Sequence, residues 1–286
     1  MNIKNNIYTA SLRLDDWLHV LGLPILGIAY YSISSLLSYK AIWGLTISSL
    51  YLAHGYSLNT CFDAKVEKYW HQILSSSDPT FFKKILLFSY ALFLINCMLS
   101  FPYSLAIFYL VLIGSLSALI YSARPLRLKS FLFTNIFLNS FGFSLLFMIG
   151  FVSASKNITF SCLLMTALFA IIFIPLQIIH NLSHAEMEQR TNLKTTPDLY
   201  KLKTMLYFFN IALVLILLWL LIMVLFLENK YILLFLPTAP FVLSLFYLMR
   251  KLNMADTSTA IKARVLLRKI CILYGLALLF ILPLLG

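Results

Sequence analysis

The sequence predicts an all-α, polytopic membrane protein: a bundle of nine transmembrane helices with polar loops capping it on the cytoplasmic side. Three observations predict this. Hydrophobic residues make up 61% of the 286, charged residues only 11%, and the mean hydropathy is +0.90, whereas a soluble globular chain is nearer half apolar and about a quarter charged. Apolar runs approaching the roughly 20 residues that cross a bilayer as helix recur along the chain. The ionisable side chains crowd between alternate runs. A soluble fold keeps a polar exterior, which this composition does not provide. The runs are continuous, unlike the short alternating segments of a transmembrane barrel.

The expected spans are, in order, Trp17 to Leu37, Ala41 to Ser57, Ile85 to Phe101, Tyr103 to Tyr121, Phe131 to Val152, Phe160 to Ile179, Met205 to Leu227, Tyr231 to Met249 and Ile270 to Leu285. Ser and His dilute the second. The opening Met1 to Asp16 is polar and the first span is long for a signal peptide, so no cleavage is expected. Cys61, Cys97, Cys162 and Cys271 stand singly, without ligand or disulfide spacing, and read as packing residues. The whole chain, 1–286, reads as one domain, with a weak repeat relating helices 1–4 to helices 5–8.

Charge sets the topology. With an inward start, 19 of the 22 Lys and Arg fall in interior segments, leaving Lys40, Lys156 and Lys230 outside; of ten carboxylates only Glu228 is outside. The positive-inside rule then places the N-terminus in the cytoplasm, and an odd count of helices places the C-terminus outside. The formal net charge of +12 belongs mostly to residues beside apolar spans, so the expected partner is membrane lipid with anionic headgroups and not nucleic acid.

Chemistry gathers in the inward loops. After helix 2, Asn59, Asp63 and Glu67 lie at i, i+4 and i+8 and form one helical stripe. Three oxygen donors on one stripe suit Mg²⁺; a solvated helix end is the plainer reading. After helix 4, Tyr121-Ser-Ala-Arg124-Pro-Leu-Arg127-Leu-Lys129 sets three cations in a turn that Pro125 keeps from continuing as helix. Guanidinium groups in a turn suit bidentate phosphate contacts, and a positive-inside cluster is the alternative. After helix 6, His180, His184 and Glu188 repeat the stripe; zinc is a second reading for that one. Acidic stripes facing basic turns would make a diphosphate site at the mouth of an apolar bundle.

At these residues the chain resembles the UbiA superfamily of intramembrane prenyltransferases. Asn59, Asp63 and Glu67 match that family's Asn-xxx-Asp-xxx-Asp motif, with Glu in third place. Tyr121, Ser122, Pro125, Arg127 and Lys129 match its Tyr-Ser-x-x-Pro-x-Arg-x-Lys turn. Thr195 and Pro197 set the register of its second motif, in which His184 and Glu188 stand for two Asp and Asn192 for a Gly. The first-helix Arg and Trp of the family have counterparts in Arg13 and Trp17.

The resemblance implies transfer of a polyprenyl group from a prenyl diphosphate to a lipophilic acceptor, aromatic or lipid. Mg²⁺ is the implied cofactor, its ligands drawn from Asn59, Asp63, Glu67, His184 and Glu188. Asn59, Asp63 and Glu188 are the implied catalytic set; Tyr121, Arg124, Arg127 and Lys129 are implied to bind the diphosphate. Phe62 and Tyr121 are candidates for the aromatic wall that shields an allylic cation. The alternatives are a UbiA-like cyclase, a non-catalytic diphosphate binder, and a transporter with helices broken at Pro24, Pro175, Pro237 or Pro240.

The topology is open to direct test. Cysteine labelling is expected to place segments 59–84 and 180–203 in the cytoplasm; labelling of either from outside intact cells contradicts it.

Overall fold

The computed structural model describes residues 7–64, 79–191, 202–253 and 257–285. These are helical throughout, with no strand among them. Two short helices, α1 (Ile7–Leu12) and α2 (Leu14–Trp17), meet at an elbow at Arg13. They are followed by α3 (Gly22–Tyr31), α4 (Tyr39–Ala64), α5 (Pro79–Tyr103), α6 (Leu105–Ser122), α7 (Leu132–Ser155), α8 (Phe160–Thr191), α9 (Leu202–Phe226), α10 (Phe235–Asn253) and α11 (Thr257–Ile281). Taking α2 and α3 with their 3₁₀ turns as one composite span, the described residues form nine crossings.

Seven of these helices, α5 to α11 with the 3₁₀ turns that extend α10 and α11, are long and apolar enough to cross a membrane on composition alone. The first two crossings differ for separate reasons. The expected run from Trp17 to Leu37 is not one helix: 3₁₀ turns at Leu18–Leu21 and Ile33–Leu37 flank a ten-residue α3, and Ser32 is extended. Helix α4 is 26 residues long but carries polar groups, because it faces protein and not lipid. His54 Nδ1 lies 3.0 Å from the Ser89 carbonyl, Asn96 of α5 donates to the Ile47 carbonyl at 3.2 Å, and Ser57 meets Ser11 of α1 at 3.5 Å. A polar side chain inside an apolar bundle is tolerated when a neighbouring helix satisfies it.

Other boundaries shift. The outer turn expected at Pro102 falls at Ser104, since α5 runs through the proline to Tyr103. Helix α8 extends to Thr191, twelve residues past the expected end of its span, and α11 begins at Thr257, thirteen before. Helices α8 and α10 also pass through Pro175 and Pro240 unbroken. The broken helices that motivated a transporter reading are therefore absent at these two prolines. Segments 65–78 and 192–201, on which the expected cap depends, lie outside the described residues.

Helices α3 and α7 cross most tightly. A Cβ at Gly27 would overlap the backbone of Phe147, and one at Gly150 would overlap the backbone of Pro24. Close approach of this kind replaces the hydrophobic driving force that lipid removes. All four cysteines are free. Gly150→Ala is expected to lower the thermal stability of the purified protein in detergent by about 1–3 kcal/mol, the usual cost of overpacking. Gly275→Ala, whose Cβ meets nothing within 4 Å, serves as the control. Equal melting of the two variants contradicts the close-crossing account.

Candidate functional site

The C-terminal end of α4 carries the first stripe. Asn59 and Asp63 lie one turn apart, and both face the turn that joins α6 to α7. That turn is built by its own backbone: α6 stops at Ser122, the Arg127 N–H closes on the Ala123 carbonyl at 2.7 Å, and Arg127 takes a left-handed conformation with φ 35°. Asn135 Nδ2 donates to the Lys129 carbonyl at 3.2 Å, tying the turn to the first helical residues of α7.

The result is a compact charge cluster. Lys129 Nζ pairs with Asp63 Oδ1 and also donates to Asn59 Oδ1 at 3.3 Å. Arg127 Nη2 lies 3.7 Å from the same Asp63 oxygen, and Ser122 Oγ donates to Asn59 Oδ1 at 3.3 Å. The side chains of Asp63, Lys129 and Arg127 are 15%, 12% and 20% exposed. Water screens such pairs weakly, so their attraction exceeds that of a surface salt bridge. One carboxylate faces two cations, leaving a net positive charge beside two oxygens already bridged by an ammonium.

Tyr121, matched to the same motif, stands behind the turn. Its hydroxyl donates to Asn135 Oδ1 at 3.4 Å, and Asn139 Nδ2 donates to that hydroxyl at 3.0 Å. Arg124 is not brought to the pair; it is exposed on the outside of the turn. Phe62 packs edge-on against Phe82 and lines neither cavity described below. Glu67 lies outside the described residues. His184 and Glu188 fall on the last turns of α8, whose side chains also lie outside them.

Two cavities open beneath the cluster. The smaller, about 190 Å³, reaches Asn59, Tyr121 and Ser122 and runs between α4, α6 and α7. The larger, about 210 Å³, runs among α3, α8, α10 and α11, with Phe169, Phe173, Phe241 and Leu278 in its wall. Asp16, Tyr56, Phe143, Gln177 and His180 border both. The elbow of α1 and α2 closes the inner side: Arg13 pairs with Asp16 at 2.7 Å and lies 5.6 Å from the Tyr56 ring centroid, and Arg268 of α11 reaches Asp16 at 3.7 Å.

Several of these residues escaped the sequence reading. Asn135 and Asn139 carried a signal, two amides at i, i+4 in an otherwise apolar run. Asp16, Tyr56, Gln177 and Arg268 carried none that local spacing reveals.

Among the described residues no group of three or more His, Cys, Asp or Glu is gathered to hold a metal. The donors that are gathered, Asn59 Oδ1 and Asp63 Oδ1, are hard oxygens of the kind Mg²⁺ takes, and the Lys129 ammonium stands on both. The pair thus fits a cation.

Fold and site together define a multi-pass integral membrane protein with a buried, charged pocket at one end of an apolar bundle. The sequence matches the UbiA prenyltransferase family over residues 20–273, and the chain belongs to that family. A digeranylgeranylglyceryl phosphate synthase structure superposes with a TM-score of 0.73 at 17% identity, covering 98% of this chain and 99% of that one. A UbiA homologue from Archaeoglobus fulgidus bound to GPP and Mg²⁺ gives 0.69 at 17%, covering 96% of this chain and 100% of that one. The same homologue bound to DMAPP and Mg²⁺ gives 0.72 at 16%, with 96% and 99% covered. Among curated proteins none matches the sequence significantly. At these identities the likeness is one of fold.

Proposed function

We propose that the protein transfers a prenyl group from a prenyl diphosphate to a lipophilic acceptor, at a site facing the cytoplasm. The observation that carries this reading is the charge cluster. Asn59 and Asp63 offer oxygens to a cation, and Arg127 and Lys129 offer donors to an anion, all in one partly buried cluster whose Asn59 borders the smaller cavity, which in turn adjoins the more apolar one. A prenyl diphosphate has this dual character: a polyanion joined to a hydrocarbon chain. Membership in the prenyltransferase family supports the same reaction class.

Asn59 and Asp63 are the described residues that would hold Mg²⁺, with Glu67, His184 and Glu188 the expected remainder. Bound there, the ion would neutralise charge developing on the leaving diphosphate. The chain's own residues do the rest. Lys129, freed from Asp63 when a diphosphate arrives, turns its ammonium to the phosphate oxygens. Arg127 supplies a planar fork on the same side. As the allylic C–O bond breaks, its electron pair goes to the diphosphate oxygen. Once the diphosphate is bound, the α6–α7 turn holds both donors against it, so little reorganisation is needed when charge develops.

The carbon left electron-poor faces Tyr56 and Phe143, whose rings border both cavities and supply an electron-rich wall. The acceptor's lone pair forms the new bond to that carbon, and the acceptor gives up a proton. Asp16 and His180, on the shared border, lie where that proton leaves. The Tyr56 and Phe143 rings shield the cation on that border, so that it meets the acceptor and not hydroxide.

Two substitutions test this. Asp63→Ala in the full-length protein is expected to abolish Mg²⁺-dependent release of diphosphate from radiolabelled prenyl diphosphates while the protein still purifies folded. Arg127→Lys is expected to weaken inorganic diphosphate binding by about tenfold, since it keeps the charge and loses the fork. Wild-type turnover by Asp63→Ala, or full activity in excess chelator, removes the metal from the mechanism. Unchanged affinity in Arg127→Lys leaves that loop a topological signal only.

A further inference from the structure

The smaller cavity has a floor, and we infer that Tyr51, which forms it, sets the length of the prenyl chain the protein accepts. This rests on the prenyltransferase reading and adds a specificity determinant to it.

An allylic donor carries its hydrocarbon on the diphosphate, so the chain must enter whichever cavity meets the charge cluster. Only the smaller one reaches Asn59 and Ser122; the larger has neither in its wall. From that end the smaller cavity follows two helices in parallel. Along α4 its lining runs from Asn59 through Tyr56, Gly55 and Leu52 to Tyr51. Along α6 it runs from Ser122 to Gly114. Each is eight residues, about 12 Å at the helical rise.

At the far end one side chain stretches across from α4 to α6 and α7. Tyr51 is 7% exposed, its hydroxyl donates to the Gly142 carbonyl at 3.2 Å, and its ring lies so close over Gly114 that a Cβ there would overlap it. The ring is thus clamped between α6 and α7 at two glycines, each of which leaves room for it. Higher up the channel is open: a Cβ at Gly55 would meet only the Ala118 methyl, at 3.9 Å. An extended isoprene unit, four chain bonds of about 1.5 Å, advances roughly 5 Å. The channel therefore takes about two units before the Tyr51 ring blocks the third. Because the channel mixes Leu52 and Ala118 with Ser117 and Asn139 and is no more apolar than lipid, length selection here comes from steric exclusion and not from hydrophobic gain.

The test is binding of non-cleavable thiodiphosphate analogues bearing five, ten, fifteen or twenty carbons, with inorganic diphosphate as reference. It uses the full-length protein in detergent, by calorimetry. Wild type is expected to bind the ten-carbon analogue best. Tyr51→Ala is expected to raise the fifteen-to-ten affinity ratio about tenfold, the factor removed with an overpacking clash of this size. Tyr51→Phe keeps the ring and the wild-type ratio. Gly55→Leu, which fills the channel midway, is expected to lower the ten-to-five ratio about tenfold; it decides the matter alone if Tyr51→Ala fails to fold. Ratios unchanged in Tyr51→Ala or Gly55→Leu, with prenyl analogues still binding, overturn the assignment of Tyr51 and leave the prenyltransferase reading standing. If no prenyl analogue binds better than inorganic diphosphate, that reading fails and the inference falls with it.

Discussion

Asp63 is a carboxylate placed where water is scarce, at the C-terminal end of a helix packed on most sides by other helices. An ion there is costly unless paired, because desolvation outweighs what a single distant charge returns. Its position obliges the α6–α7 turn to deliver Lys129, and that need explains much of the local structure. Helix α6 stops at Ser122, Arg127 takes a left-handed backbone, and Asn135 anchors the Lys129 carbonyl. The same turn brings Arg127 to 3.7 Å from Asp63, so the pocket holds one more positive charge than negative among these three residues. A pocket that is satisfied but still positive is poised for an anion.

The rest of the bundle keeps that pocket dry and in register. The glycine-mediated crossing of α3 and α7 pulls the first span against the helix that anchors the turn. Ser57 bonded to α1, His54 bonded to α5 and the Asn96 amide of α5 on the Ile47 carbonyl hold the stripe-bearing helix in the interior, where Asn59 and Asp63 face the turn and not lipid. At the opposite end Lys40 donates to the Ala154 carbonyl, and Lys156 lies over the Tyr103 ring while donating to the Tyr103 carbonyl. Two of the three lysines expected outside thus secure helix ends there.

Much of this was legible in the sequence, because bilayer thickness and backbone saturation leave few alternatives to long apolar helices. The i, i+4 spacing of Asn59 and Asp63 and the basic turn after helix 4 named the two halves of the cluster, and the fold brings the two together. The first two spans were legible as spans but not in form: the first is broken by 3₁₀ turns at Leu18–Leu21 and Ile33–Leu37, and α4 is polar since protein surrounds it. Arg124 looked equivalent to Arg127 and Lys129 in a linear list, yet the turn points only the latter two inward. The shared border of Tyr56, Gln177 and His180 joins α4 to α8, and Asp16 meets Arg268 across almost the whole chain; no local pattern encodes such a pairing.

The central claim is that Lys129 occupies the cation position of Asn59 and Asp63 until a diphosphate draws it away. Titration of Mn²⁺, a spin-active surrogate for Mg²⁺, into the purified protein with and without inorganic diphosphate tests it most directly. The account predicts weak binding by wild type until diphosphate is added, and tight binding by Lys129→Met without it. Equal Mn²⁺ affinity in both proteins, with or without diphosphate, would contradict it.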